Sequence, residues 1–207
     1  MSTRGQQASR SVGADRQVME PSMEPPATDA HGQPWLVLVY RIQSEPSRLR
    51  AAVWRRLKTL GAIYLQSGTA AMPWDSASER AMRKLHQDIG RMAGSSILLR
   101  CEVLAGETDA IDAFNAARSD EYGEIIRKCE EFLRQLEHEH LAEHFTFAEL
   151  EENEVDLVKL QKWLAKIRAR DVFGGPGREA AERLLQECEK ALEQYADRVY
   201  VLDADVN

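Results

Sequence analysis

The sequence predicts an α+β chain in two parts: a β-α-β-β-α-β unit over residues 34–105, followed by an antiparallel helical region over 106–202. Three observations predict it. Short β-branched and aromatic runs alternate, up to position 104, with two stretches whose apolar residues recur at helical spacing. Past Gly106 the β-branched clustering stops, and Glu, Ala, Leu, Lys and Arg dominate. Gly61, Gly94, Gly106 and the run Gly174-Gly-Pro-Gly177 punctuate these stretches where helices would have to end or begin.

Each element has its own warrant. Residues 1–33 are polar and lack any apolar period, and Pro21, Pro25 and Pro26 break helices; a disordered leader is expected. Residues 35–42, Trp-Leu-Val-Leu-Val-Tyr-Arg-Ile, read as a central strand buried on both faces. Ser47 is a candidate N-cap for a helix to Leu60, whose stripe is Leu49, Val53, Leu57 and Leu60, with Gly61 at the C′ position. Strands follow at 62–66 and 69–74; with Pro73 in it, the second is expected to fray or to sit at an edge. Ser76 or Ser78 opens a helix to about Met92, and residues 96–104 form the last strand. This order is the ferredoxin-like one. Beyond it, helices are expected at 109–117, 119–144, from a Thr146 capping box to Phe173, and from Arg178 to Tyr200, with a frayed tail at 203–207.

Composition narrows the class. Of 207 residues, 43% are hydrophobic and 29% charged, which fits a folded chain and excludes a wholly disordered one. No apolar run is long enough to span a membrane and no secretory signal is present, so a cytoplasmic protein without membrane partners is expected. Cys101, Cys129 and Cys188 are few, odd in number and far apart, so reduced thiols are expected. The net charge of −7 is unevenly spread: residues 34–100 hold eleven Lys and Arg against four Asp and Glu, while residues 101–207 carry −13. A local basic face therefore coexists with an acidic average.

Three strings carry a family resemblance. They are residues 35–42 with Glu45-Pro-Ser-Arg-Leu-Arg50; Val53-Trp-Arg-Arg-Leu-Lys-Thr-Leu-Gly-Ala62; and Ile167-Arg-Ala-Arg-Asp-Val-Phe-Gly174, with Pro176 and Arg178 shortly after. Over about residues 34–200 the chain resembles the N-terminal domain of the ChrB chromate-resistance regulators. The second string is also distantly similar to a ferredoxin-like module of PaaX-type repressors. The resemblance implies a regulator of a chromate-efflux operon, with operator DNA as partner and chromate as effector. The long members of that family carry a further C-terminal domain, which the architecture expected here does not include.

Arg48, Arg50, Arg55, Arg56 and Lys58 are the candidate phosphate contacts, since guanidinium groups bind phosphate oxygens bidentately. The same cations would equally suit a solvated face, or a helix docked on the acidic half of the chain. Trp54 beside them is a candidate partner contact. Arg168, Arg170 and Arg178 flank the glycine turn and, given the resemblance, are the candidate oxyanion ligands; Asp171 pairing with Arg168 or Arg178 would instead make the turn a structural corner. His140 and His144 sit four apart in His-x-x-Glu-His, an inverzincin-like pattern that an ordinary polar helix end also explains; no metal site is expected. Cys129 and Cys188 fall on apolar stripes as small hydrophobes.

There is no GxSxG string, no phosphate loop, no helix-turn-helix signature and no zinc-finger spacing, so neither an enzyme, a cofactor nor motif-based base reading is expected. The leading expectation is a DNA-binding regulator. A protein-interaction module, pairing with its own acidic helices or with a second copy as a homodimer, is the alternative. A chromate-binding or chromate-reducing protein ranks third.

Overall fold

In the computed structural model, residues 32–43 and 46–206 are described. The expected leader lies almost wholly outside them. The elements run β1 (Trp35–Arg41), α1 (Ser47–Leu60), β2 (Ile63–Gln66), β3 (Thr69–Pro73), α2 (Ser76–Arg91), β4 (Ser95–Cys101), α3 (Glu107–Leu141), α4 (Phe147–Arg168) and α5 (Arg178–Val206). The fold is α+β: a four-stranded antiparallel sheet in the order β2-β3-β1-β4 with two interleaved helices, followed by three packed helices.

Alternation along β1 decides the two layers of the first unit. Leu36 and Leu38 are fully buried on the side that meets Val53 and Leu57 of α1 and Met82, Leu85 and Ile89 of α2. On the opposite side Trp35 is buried beneath Phe114 of α3 and Phe173, with ring centroids 6.1 Å away in both cases. That cover stops short. Val39, four positions along on the same side, is 41% exposed, so β1 is covered on both faces only over its first half.

β3 departs from the edge position expected of it. It lies between β2 and β1 and all five of its residues are buried. Pro73 is tolerated because of register. Ile63 pairs with Ala71, so β2 begins short of the position that would face Pro73. On the other side Trp74 donates its N–H to the Pro34 carbonyl at 2.7 Å and continues the ladder past the proline.

The start of α1 differs by one residue from expectation, while α2 opens at Ser76, one of the two starts expected. Pro46, extended at φ −78° and ψ 141°, is the N-cap of α1, and Ser47 is its first residue. Asp75 caps α2, accepting from Ala77 N–H at 2.6 Å and Ser78 N–H at 2.9 Å. Thr146 caps α4 as expected, through a bond from Glu149 N–H.

In the second part, one helix, α3, replaces the two expected on either side of residue 118. No Gly or Pro interrupts positions 117–119, and Arg118 is held in place by burial. α5 likewise runs past Tyr200 through the expected tail to Val206; no breaker follows Gly177, and Tyr200 packs on Phe147. α3, α4 and α5 bury a shared core that includes Ile125, Phe132, Leu136, Leu160, Leu185 and Leu192. No described helix is long and apolar enough to cross a membrane.

Candidate nucleic-acid interface

At 3.6 residues per turn, the five cations of α1 point three ways. Val53 and Leu57 mark the buried side. Arg48 and Arg55 lie on the crest facing away from it. Arg50 and Lys58 share the flank toward β2 with Trp54, at i and i+4 spacing. Arg56 lies on the opposite flank, in a shallow groove with Lys84 and Asp88 of α2. All five are exposed, and among the described residues none has a carboxylate partner. Lys58 places its ammonium 5.5 Å from the centre of the Trp54 ring.

The acidic helical half does not cover these cations. It grips α1 at one end only. Arg118 Nη1 donates to the Gly61 carbonyl at 3.2 Å, and Arg170 Nη1 donates to the Thr59 carbonyl at 2.9 Å and the Lys58 carbonyl at 3.4 Å. These carbonyls lie at a helix C-terminus, where cations are favoured; that of Lys58 also accepts the Gly61 N–H at 3.0 Å. Glu121 accepts from Arg170 at 2.9 Å and lies 3.5 Å from Arg118, balancing both. Burial lowers the pKa of Arg118, and Glu121 partly offsets this. The docking alternative for the basic face is thus met by a joint that uses two arginines of the acidic half, while the cations of α1 stay in solvent.

The three arginines around the glycine turn come to one corner but face acids. Arg168 pairs with Glu182 at 3.0 Å, and Arg178 pairs with the same carboxylate at 3.2 Å. Arg170 is engaged in the joint just described. Asp171, buried, accepts from Tyr122 hydroxyl at 2.8 Å and from Gly175 N–H at 2.8 Å, with Arg178 Nη1 at 4.0 Å. Burial and that bond to Asp171 push the Tyr122 phenol well up. An oxyanion entering here would have to displace Glu182 or Glu121 and meet the charge of Asp171. The arrangement is that of a structural corner, the alternative the residue types left open.

His140 and His144 are separated by the end of α3 at Leu141; Glu143 has φ +54°, so the two imidazoles do not share a helical face. His140 packs edge-on against Phe145 instead. Cys129 and Cys188 are buried against each other, Cys188 Sγ lying 3.5 Å from the Cys129 carbonyl.

The structure adds a feature that periodicity does not reveal. Tyr40, Arg41, Arg50, Trp54, Tyr64 and Gln66 line a groove of about 790 Å³ where α1 crosses the β2–β3 end of the sheet. The hydroxyls of Tyr40 and Tyr64 are 3.4 Å apart. Burial and the Tyr40 hydroxyl push the Tyr64 phenol up. In sequence, Tyr40 and Tyr64 are ordinary strand residues; only strand order brings them together.

No curated protein matches the chain. The family described as Protein ChrB, N-terminal, matches residues 50–206, from the cationic flank of α1 to the end of α5. That span is most of the chain and takes in the corner and the basic helix from Arg50 onward, and the chain belongs to the ChrB N-terminal-domain family, which is linked to chromate resistance.

Proposed function

We propose that this chain binds operator DNA of a chromate-efflux operon through the α1 surface and regulates that operon in response to chromate. The observation that carries the reading is the set of cations on α1 that have no carboxylate partner among the described residues and stand in solvent although half of the chain is acidic. Arg48 and Arg55 on the crest reach a duplex first, with Arg50, Lys58 and Arg56 on the flanks taking neighbouring phosphates. Family membership supplies the link to chromate; the effector role of chromate follows from that link and not from a pocket. The test is anisotropy of labelled DNA from upstream of a chromate-efflux gene, with and without chromate. Binding that weakens with chromate and falls at least tenfold in an R48A/R55A variant supports the reading. Equal affinity of the variant and the parent overturns it.

A second reading, association of two copies, is favoured by Val39, Ile97 and Leu99. They share the outer sheet face beside the edge strand β4 and are 41%, 61% and 45% exposed. An apolar patch next to an open strand edge suits a self-complementary contact. Sedimentation of the parent against an I97K variant decides it: a dimer that the variant splits supports the contact, and a monomer in both excludes it.

A further inference from the structure

The aromatic lining of the groove between Tyr40, Trp54 and Tyr64 has no part in duplex binding through the crest of α1, and Arg50 borders both surfaces. Its lining combines two kinds of group. Trp54 is 49% exposed and Tyr64 41%, an unusual exposure for rings this large, and both border open space and not a packed core. Arg41 and Arg50 are the charged groups among the described lining residues, and no described carboxylate joins them. Gln66 and the two phenols add hydrogen-bonding groups. The volume lies within the ~300–1,000 Å³ of small-molecule sites.

We infer that this groove receives an unpaired nucleotide of a nucleic-acid strand, its base against Trp54 and the tyrosine pair and its phosphate on Arg50 and Arg41. The inference rests on the nucleic-acid reading of α1 and deepens it. Aromatic rings beside a cationic track are what unpaired nucleotides require: every base has a face to stack, and every nucleotide carries one phosphate. A paired duplex offers the phosphates but keeps its bases stacked inside, so it cannot use the rings. Geometry connects the two surfaces, because Arg50 and Trp54 lie one helical turn apart on the flank adjoining the crest that carries Arg48 and Arg55. A strand whose backbone crosses the crest reaches the groove without leaving the helix. Lys58, over the Trp54 ring, extends the cationic track along that flank.

The test uses the full chain and four probes: a paired duplex, the same duplex with a short unpaired bubble, an oligothymidylate, and thymidine monophosphate as competitor. The bubble is expected to bind about tenfold tighter than the duplex, the low end of what stacking one base contributes. Trp54→Ala is expected to abolish that preference and leave duplex affinity unchanged, while Trp54→Phe restores most of it. Trp54 is half exposed, and an unchanged melting temperature of the alanine variant checks that it folds. Equal binding of bubble and duplex by the parent overturns the inference while leaving the duplex reading intact. So does a preference that survives Trp54→Ala. Displacement by the monophosphate as effective as by the oligothymidylate overturns the strand in favour of a free nucleotide. Absence of binding to every probe at low salt overturns the duplex reading and this one together.

Discussion

Arg118 Nη1 donates to the carbonyl of Gly61, joining the middle of the long third helix to the end of the first. The bond requires the backbone to turn left-handed at position 61, where φ is +81°. It also requires that no side chain stand there, since a Cβ on residue 61 would lie 2.4 Å from Arg118 Nη1 and 2.8 Å from Arg170 Cδ. The joint between the two halves is therefore built around a missing side chain.

Gly61→Ala should be costly for both reasons. The left-handed conformation alone costs an L-residue roughly 1–2 kcal/mol, and displacing the buried Arg118 guanidinium and the partly buried Arg170 side chain adds to it. A loss of about 2 kcal/mol or more is expected, a melting temperature lower by roughly 5 °C for a chain of this size. Differential scanning calorimetry checks it; a shift below one degree would contradict the joint.

Tyr122→Phe removes the hydroxyl donated to Asp171 and leaves a buried carboxylate with one bond fewer. The expected cost is about 1–3 kcal/mol. Urea unfolding should show a lower midpoint with an unchanged slope, since the surface exposed on unfolding hardly alters.

Asp75 gives a pH signature. Burial raises its pKa, but the bonds from Ser78 and Ala77 outweigh burial and hold the carboxyl below its ordinary value. A carboxyl with a depressed folded pKa stabilises the fold above its unfolded pKa, and that contribution fades as pH falls through the folded value. Asp75→Ala should cost about 1 kcal/mol at neutral pH. The gap between parent and variant should narrow below pH ~4, in melts followed by circular dichroism across that range.

The thiols should differ sharply in reactivity. Cys129 and Cys188 are buried against each other, and the Cys188 thiol is pushed up by its bond to Cys129 and by burial. Cys101 is partly accessible. A colourless aromatic disulfide reagent added to the native chain should titrate Cys101 rapidly and the other two only at the rate of unfolding. Fast reaction of all three would contradict the packing of α3 on α5.

What the residue order discloses is local. The stripe Leu49, Val53, Leu57 and the run Trp35–Arg41 identify their elements because burial repeats with the period of the helix or the strand. Pro73 misleads because its tolerance in a central strand depends on where β2 begins, a fact of register. Arg118 is read as a break between helices because its partner, the Gly61 carbonyl, is far away in sequence. The same distance hides Glu121 and Glu182, which turn Arg170, Arg168 and Arg178 from a cationic cluster into paired groups. Charge on α1 is legible and its orientation follows from helical geometry. The groove formed by Tyr40, Trp54 and Tyr64 is not, because three elements contribute one ring each.

The salt dependence of DNA binding tests the central claim most directly. Phosphate contacts release counterions, so log K falls linearly with log salt at about −0.9 per contact. If Arg48 and Arg55 each hold a phosphate, the R48A/R55A variant should show a slope shallower by roughly 2 than the parent. Parallel slopes for the two proteins would mean that the α1 crest does not meet DNA.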